Sequence, residues 1–207
     1  HLDCSYNKLT ELPALPEMLQ ILNCSYNKLT ALPSLGRWIR KLLCSDNQLS
    51  ELPRLMPETW IDEFDCSDNL LTVITDAQYV NNVSYLCCAN NKLTELPNNL
   101  ESSPLRELYC YNNQLTKLPA LPKTILVLHC QYNQIVRLPG IYFTDMDTLD
   151  CSHNKLVELP FCNKLKKCDA SHNNITELYR LSERVKWSLG HNPIRRDDIL
   201  QNKHLID

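Results

Sequence analysis

Apolar and polar positions recur along this chain in a fixed figure. An apolar residue is followed two places later by a cysteine. Three places after that comes an asparagine, and two further on a leucine or isoleucine, as in Leu22, Cys24, Asn27 and Leu29. Aligned on the asparagine, ten copies are found, at Asn7, Asn27, Asn47, Asn69, Asn91, Asn113, Asn133, Asn154, Asn173 and Asn192, spaced by 19 to 22 residues. The alternation in Leu22-Asn23-Cys24 predicts a short strand with Leu22 and Cys24 turned inward and Asn23 on the opposite surface. The asparagine predicts the turn that ends the strand, because its amide can bond backbone groups of the adjacent coil. In the second half of the copy Leu29 and Leu32 face the core, and Pro33 fixes φ and disfavours a helix. Leu-Pro returns at Leu12-Pro13, Leu52-Pro53, Leu96-Pro97, Leu118-Pro119, Leu138-Pro139 and Leu159-Pro160.

A period of about 20 residues with this consensus is the signature of a leucine-rich repeat. It predicts one solenoid whose coils share a continuous core, with short parallel strands on the concave face. Units this short leave no room for an α-helix, so the convex side is expected to be extended or polyproline-like. The repeats occupy 1–194; the chain opens inside the first, which implies a trimmed N-terminus. Residues 195–207 read as a polar C-terminal capping helix, with Ile199, Leu200 and Leu205 covering the last coil. Repeats four to six are longer. They predict wider convex loops at Leu55–Trp60 and Asn98–Ser103, and a short helical turn between Asp76 and Asn82.

The net charge of -3 gives no global signal for nucleic acid or an anionic membrane. No apolar run approaches the ~18 residues needed to span a bilayer. Of the 11 cysteines, eight occupy the same repeat position: Cys4, Cys24, Cys44, Cys66, Cys88, Cys110, Cys130 and Cys151. Successive copies would sit one strand apart, about 4.8 Å, with parallel side chains. A disulfide needs Cβ atoms nearer ~3.8 Å. The ladder therefore reads as a stack of small buried hydrophobes. Reduced thiols fit a cytosolic working environment, and neither a cofactor nor a metal is expected.

Two copies extend to Leu-Pro-x-Leu-Pro, at Leu12 to Pro16 and Leu118 to Pro122. On these motifs the chain resembles the leucine-rich repeats of bacterial effectors injected into host cells, the YopM and IpaH-like group. It departs from them in carrying Cys where they more often have Val or Leu, and it loses Leu-Pro at Ile74-Thr75 and at Leu178-Tyr179. The resemblance implies a non-enzymatic module, secreted into the host cytoplasm, that binds a host protein. An alternative it also implies is the substrate-recognition part of a ubiquitin ligase. In such ligases the catalytic cysteine sits in a Cys-x-Asp motif in a separate domain. Cys44-Ser45-Asp46 and Cys66-Ser67-Asp68 match that motif, but both belong to the repeat and their cysteines face the core.

The template leaves the concave positions free, and three clusters of side chains fall there. Tyr85, Tyr109, Tyr111, His129 and Tyr132, from strands five to seven, form an aromatic group suited to a protein partner. The bland reading is that tyrosine is simply a good strand former. Asp46, Glu63, Asp65 and Asp68 make an acidic strip that either meets a basic partner or keeps the surface soluble. Asp150, Ser152, His153, Asp169, Ser171 and His172 suggest a hydrolase triad or a metal site. Yet both copies come from one template, and a flat open sheet implies no enclosed pocket or oxyanion hole. The column His153, His172, His191 could make binding sensitive to pH.

Overall fold

A computed structural model describes residues 1–56, 58–74, 77–140, 145–159, 164–178 and 181–205. Among the described residues ten strands are formed, one per copy of the figure: β1 (Leu2–Asp3), β2 (Ile21–Asn23), β3 (Lys41–Leu43), β4 (Glu63–Asp65), β5 (Tyr85–Cys87), β6 (Glu107–Tyr109), β7 (Val127–His129), β8 (Thr148–Asp150), β9 (Lys167–Asp169) and β10 (Lys186–Ser188). They pair in chain order, each parallel to the next, into one sheet. The register keeps the repeat in phase, so Leu42 faces Phe64, Leu86 faces Leu108, and Cys168 faces Trp187. This central column is buried from Leu22 to Trp187, and Leu2 at its open end is partly buried. It packs with the cysteine column and with Leu29, Leu49, Leu71, Leu93, Leu115, Ile135, Leu156 and Ile175 into one core running the length of the solenoid. The fold is a leucine-rich repeat solenoid.

The cysteine column is buried from Cys24 to Cys151 and continues as Ala170 and Leu189, which supports reading it as a row of small apolar side chains. The ten described cysteines are free thiols. Removal from water pushes the Cys44, Cys66, Cys88 and Cys130 thiols well above their ordinary pKa, because burial penalises the thiolate.

The asparagine ladder closes each turn. Asn69 donates from Nδ2 to the carbonyls of Cys44 (3.0 Å), Cys66 (3.2 Å) and Ser67 (2.9 Å), and its Oδ1 accepts from the Leu49 N–H at 2.9 Å. The same set recurs at Asn113 and at Asn173. The side chain thus replaces the sheet hydrogen bonds that end with the strand.

The left-handed residue of the turn is the one before the asparagine, a feature not anticipated from the sequence. Tyr6, Tyr26, Asp46, Asp68, Asn90, Asn112, Tyr132, His153, His172 and His191 all have φ between 51° and 57°. Such a conformation costs an L-residue roughly 1–2 kcal/mol. It is held by regular bonds to the next coil, such as Tyr26 N–H to Ser45 O at 2.9 Å and Asn27 N–H to Asp46 O at 3.1 Å.

The convex side carries little regular structure among the described residues. Its two 3-10 turns, Ala77–Tyr79 and Leu100–Ser102, sit in the longer repeats. The first falls inside the helical turn expected between residues 76 and 82, with Asp76 itself outside the described residues. Tyr79 is fully buried there, its ring on Phe64 and its hydroxyl donating to the Pro53 carbonyl at 2.7 Å.

At the C-terminal end α1 spans Arg196–Asn202 and buries none of its residues. Ile199 and Leu200 are exposed, contrary to the expectation that they cover the last coil. Leu205, expected there with them, does pack against the core, joined by Ile194. The helix is tied to the ninth repeat by polar groups. Asp198 Oδ2 accepts from the Leu178 N–H, Arg195 N–H donates to Thr176 O, and Arg195 pairs with Glu177.

Candidate functional site

The concave surface is built from the first and third residues of each strand, which point away from the core. On β5, β6 and β7 these positions carry rings. Tyr85 lies 5.5 Å from Tyr109 between centroids, and Tyr109 lies 5.1 Å from His129. The planes are inclined at 43° and 57°, and both separations fall in the range of about 4.5–7 Å in which aromatic pairs attract. Tyr109 donates its hydroxyl to Glu107 Oε2 at 2.9 Å. Partial burial, then that bond, raise the Tyr109 phenol to about 12. Burial likewise raises Tyr85, so both phenols stay neutral donors at physiological pH.

Cys87 is the one strand-end position in this stretch that carries a thiol. It opposes Asp65 on one side and Tyr109 on the other, and burial lifts its pKa to about 11. Tyr111 follows two residues beyond Tyr109 and is half-buried. Gln131, in the Tyr111 column one coil on, holds a buried Oε1 with no hydrogen-bond partner among the described residues. Sequence reading missed it as a site residue, although its column was the available signal. A buried unsatisfied acceptor costs about 1–3 kcal/mol, and a donor from a partner would relieve that cost.

Tyr132 does not join this group. It occupies the left-handed column at the end of the strands and stacks on His153 at 4.2 Å. His153 stacks on His172, and His172 on His191, each at 4.0 Å. Tyr6 and Tyr26 begin the same column with a 4.2 Å stack. Aromatic residues at this position therefore line one rim of the sheet, apart from the tyrosines of β5 and β6.

The acidic strip is divided by its geometry. Glu63 is paired with Lys41 at 2.7 Å. Asp65 Oδ1 accepts from the Ser67 N–H at 3.0 Å and the Ser67 hydroxyl at 2.7 Å. Asp46 and Asp68 stand in the left-handed column. The same aspartate-to-serine clamp recurs at Asp3 with Ser5, Asp150 with Ser152, and Asp169 with Ser171. In the suspected Asp-Ser-His groups the serine hydroxyl thus points at the aspartate of its own strand. The histidine is engaged by stacking. Among the described residues no group of three or more His, Cys, Asp or Glu is arranged to hold a metal ion.

The imidazole stack has a pH consequence. Removal from water, then the charges that His153 and His191 would bear, lower the His172 pKa against a smaller opposing pull from Asp169. Above about 6.5, the ordinary histidine value, both folded and unfolded chains hold it neutral. As the pH falls below that value the unfolded chain takes the proton first, so this contribution to stability is lost. The melting temperature is expected to fall more steeply between pH 7 and pH 5 in the parent than in His172→Tyr, which stacks but cannot charge. The effect is small at so exposed a site, and equal slopes would remove it.

No family profile and no curated protein matches the chain. Solved structures do. The chain is similar to YopM, a leucine-rich effector protein from Yersinia pestis, with a TM-score of 0.75 and 29% identity over 92% of this chain and 60% of that one. It is also similar to the functional domain of InlJ from Listeria monocytogenes, described as including a cysteine ladder, with a TM-score of 0.76 and 27% identity over 99% of this chain and 47% of that one. A leucine-rich repeat protein of Leptospira interrogans shares the fold at 22% identity, with a TM-score of 0.62 over 97% of this chain and 76% of that one. The chain thus spans about half to three-fifths of the YopM and InlJ chains. It is a leucine-rich repeat solenoid of the kind found in bacterial effectors, and the described residues contain no helix long and apolar enough to cross a membrane.

Proposed function

We propose that this chain is a non-catalytic binding module of a bacterial effector, which captures a host protein in the host cytoplasm through its concave face. The supporting observation is the continuous file of Tyr85, Tyr109 and His129 beside Tyr111 and the unsatisfied Gln131. These side chains occupy positions the repeat leaves free, and none belongs to the core. Tyrosine suits a hot spot because it buries area at low entropic cost while offering a hydroxyl. Asp46 and Asp68, with Asp65 beside them, give the N-terminal flank of the site a negative edge that suits a basic region of the partner.

Immobilised chain is expected to retain a host protein from cell lysate. Tyr109→Ala combined with Tyr111→Ala should reduce the retained amount by at least roughly tenfold, the loss of a single hot spot. Its melting temperature should fall by only a few degrees, since one or two surface aromatic contacts contribute about 0.5–1.5 kcal/mol each. Undiminished capture by the double variant would rule out the aromatic file as the contact.

A further inference from the structure

The concave face is divided by charge. Toward its N-terminal end Asp46 and Asp68 are exposed and Asp65 is half-buried. Ser67 engages only the Oδ1 of Asp65. No lysine or arginine pairs with any of the three among the described residues, where the cations of this region are taken by other partners, Lys41 by Glu63 and Arg40 by Asp62. The negative field extends into the aromatic file. Burial first, then Cys87 and the carboxylates of Asp68 and Asp65, raise the Tyr111 phenol. Burial and then Asp65 raise the Cys87 thiol.

The C-terminal end carries the opposite charge. Lys167 and Lys186 lie in register on β9 and β10, at the first position of each strand, and both are exposed. Like charges opposed on adjacent strands destabilise a sheet. The repeat does not require lysine there, since the same position holds Ile21, Tyr85, Val127 and Thr148 in other coils. Neither Lys167 nor Lys186 has an ion-pair partner among the described residues, whereas Lys164 and Lys166 beside them are paired with Asp145 and Asp147. The carboxylates at the far end of β8 and β9, Asp150 and Asp169, are held by Ser152 and Ser171.

We propose that the protein partner presents to this face an extended segment with separated charges: a basic residue over Asp65 and Asp68, apolar or aromatic residues on the tyrosine file, and an acidic residue over Lys167 and Lys186. With the concave face as the binding face, on which this inference rests, the charges add the chemistry of the partner and the way it lies. β4 and β9 are five strand steps apart, about 24 Å at ~4.8 Å each. Salt screens exposed charges beyond about 8–10 Å, so the two ends do not neutralise each other and act separately on a partner. An extended segment covers that span in about seven residues at ~3.3 Å each. The file from Tyr85 to His129 stands on β5, β6 and β7, between the two charged ends. Placed the other way round, the segment would set like charges together, so the face selects one placement.

The test uses the whole chain and three labelled synthetic peptides, read by fluorescence anisotropy at physiological ionic strength. The first has two arginines at one end, two glutamates at the other, and seven residues of tyrosine, leucine and threonine between. The second has the same composition with the arginines and glutamates interleaved, and the third has arginines at both ends. The first is expected to bind at least roughly tenfold more tightly than the second, and more tightly than the third. Lys167→Glu with Lys186→Glu should reverse the preference between the first and third peptides at a melting temperature close to the parent, a reversal that damage to the fold does not produce. Asp46→Asn with Asp68→Asn should weaken the first peptide severalfold, and asparagine already occupies that left-handed column at Asn90 and Asn112. Tyr109→Ala with Tyr111→Ala should weaken all three peptides. If that tyrosine variant loses the peptides while both charge variants keep the parent affinities, the division by charge is overturned and the concave face still binds. Equal binding of the first and second peptides, or no binding of the first, would also overturn it.

Discussion

Raising the pH above about 9 is expected to unfold this chain cooperatively, and the cysteine column is the cause. A free thiol ionises near 8.5 in an unfolded chain. In the fold, burial raises Cys24 to about 12 and holds Cys44, Cys66, Cys88 and Cys130 well above the ordinary value, as the hydrogen bond with Cys168 and then burial do for Cys151. Below the unfolded value both states keep the proton and the full stability is present. Above it the unfolded chain releases protons that the folded chain retains, so stability falls as the pH rises. Each thiol contributes about 1.4 kcal/mol per pH unit across that window. Several acting together outweigh the about 5–15 kcal/mol of a typical domain within one or two units. Circular dichroism against pH should show the transition. Cys66→Ala with Cys88→Ala should move its midpoint upward, since Ala170 already occupies this column at the ninth repeat. A midpoint that stays in place would mean that other groups drive the transition.

Asn113→Ala is expected to lower stability by about 1–3 kcal/mol, the cost of one buried unsatisfied backbone group. The carbonyls that Asn113 bonds are shared, because Cys88 O also accepts from Asn91 and Cys110 O also accepts from Asn133. The Leu93 N–H has Asn113 Oδ1 as its acceptor, at 2.9 Å. The loss therefore rests on a single donor. Urea unfolding should show a lower midpoint with an unchanged slope. Asn113→Asp keeps that acceptor but sets a carboxylate oxygen against the Cys88, Cys110 and Tyr111 carbonyls that Nδ2 served, so it should not recover the loss.

The periodic positions were legible in the sequence because each does one task in every coil. The cysteines, asparagines and leucines could be placed from their spacing alone. The left-handed residue before the asparagine was not, because Tyr, Asp, Asn and His share no side-chain property there. What they share is a backbone conformation set by bonds to the next coil. The same cause separates Tyr132 from Tyr109. Both are tyrosines near strand ends, but one stands in the left-handed column and stacks along the rim, while the other stands on the strand and faces the concave surface. At the C-terminus, hydrophobicity suggested that Ile199 and Leu200 would face inward, but the polar ties of Asp198 and Arg195 orient α1 otherwise.

The chain divides into template positions that hold the solenoid and free positions that the proposed function assigns to binding. The direct test is a paired measurement of melting temperature and partner affinity, by calorimetry with the captured host protein, on two variants. Tyr109→Ala with Tyr111→Ala should lose at least roughly tenfold in affinity, about 1.4 kcal/mol, while melting within a few degrees of the parent. Asn113→Ala should melt lower yet, measured below its transition, bind with the parent affinity. The opposite pattern, with the tyrosine variant unfolding or the asparagine variant failing to bind while folded, would contradict the division.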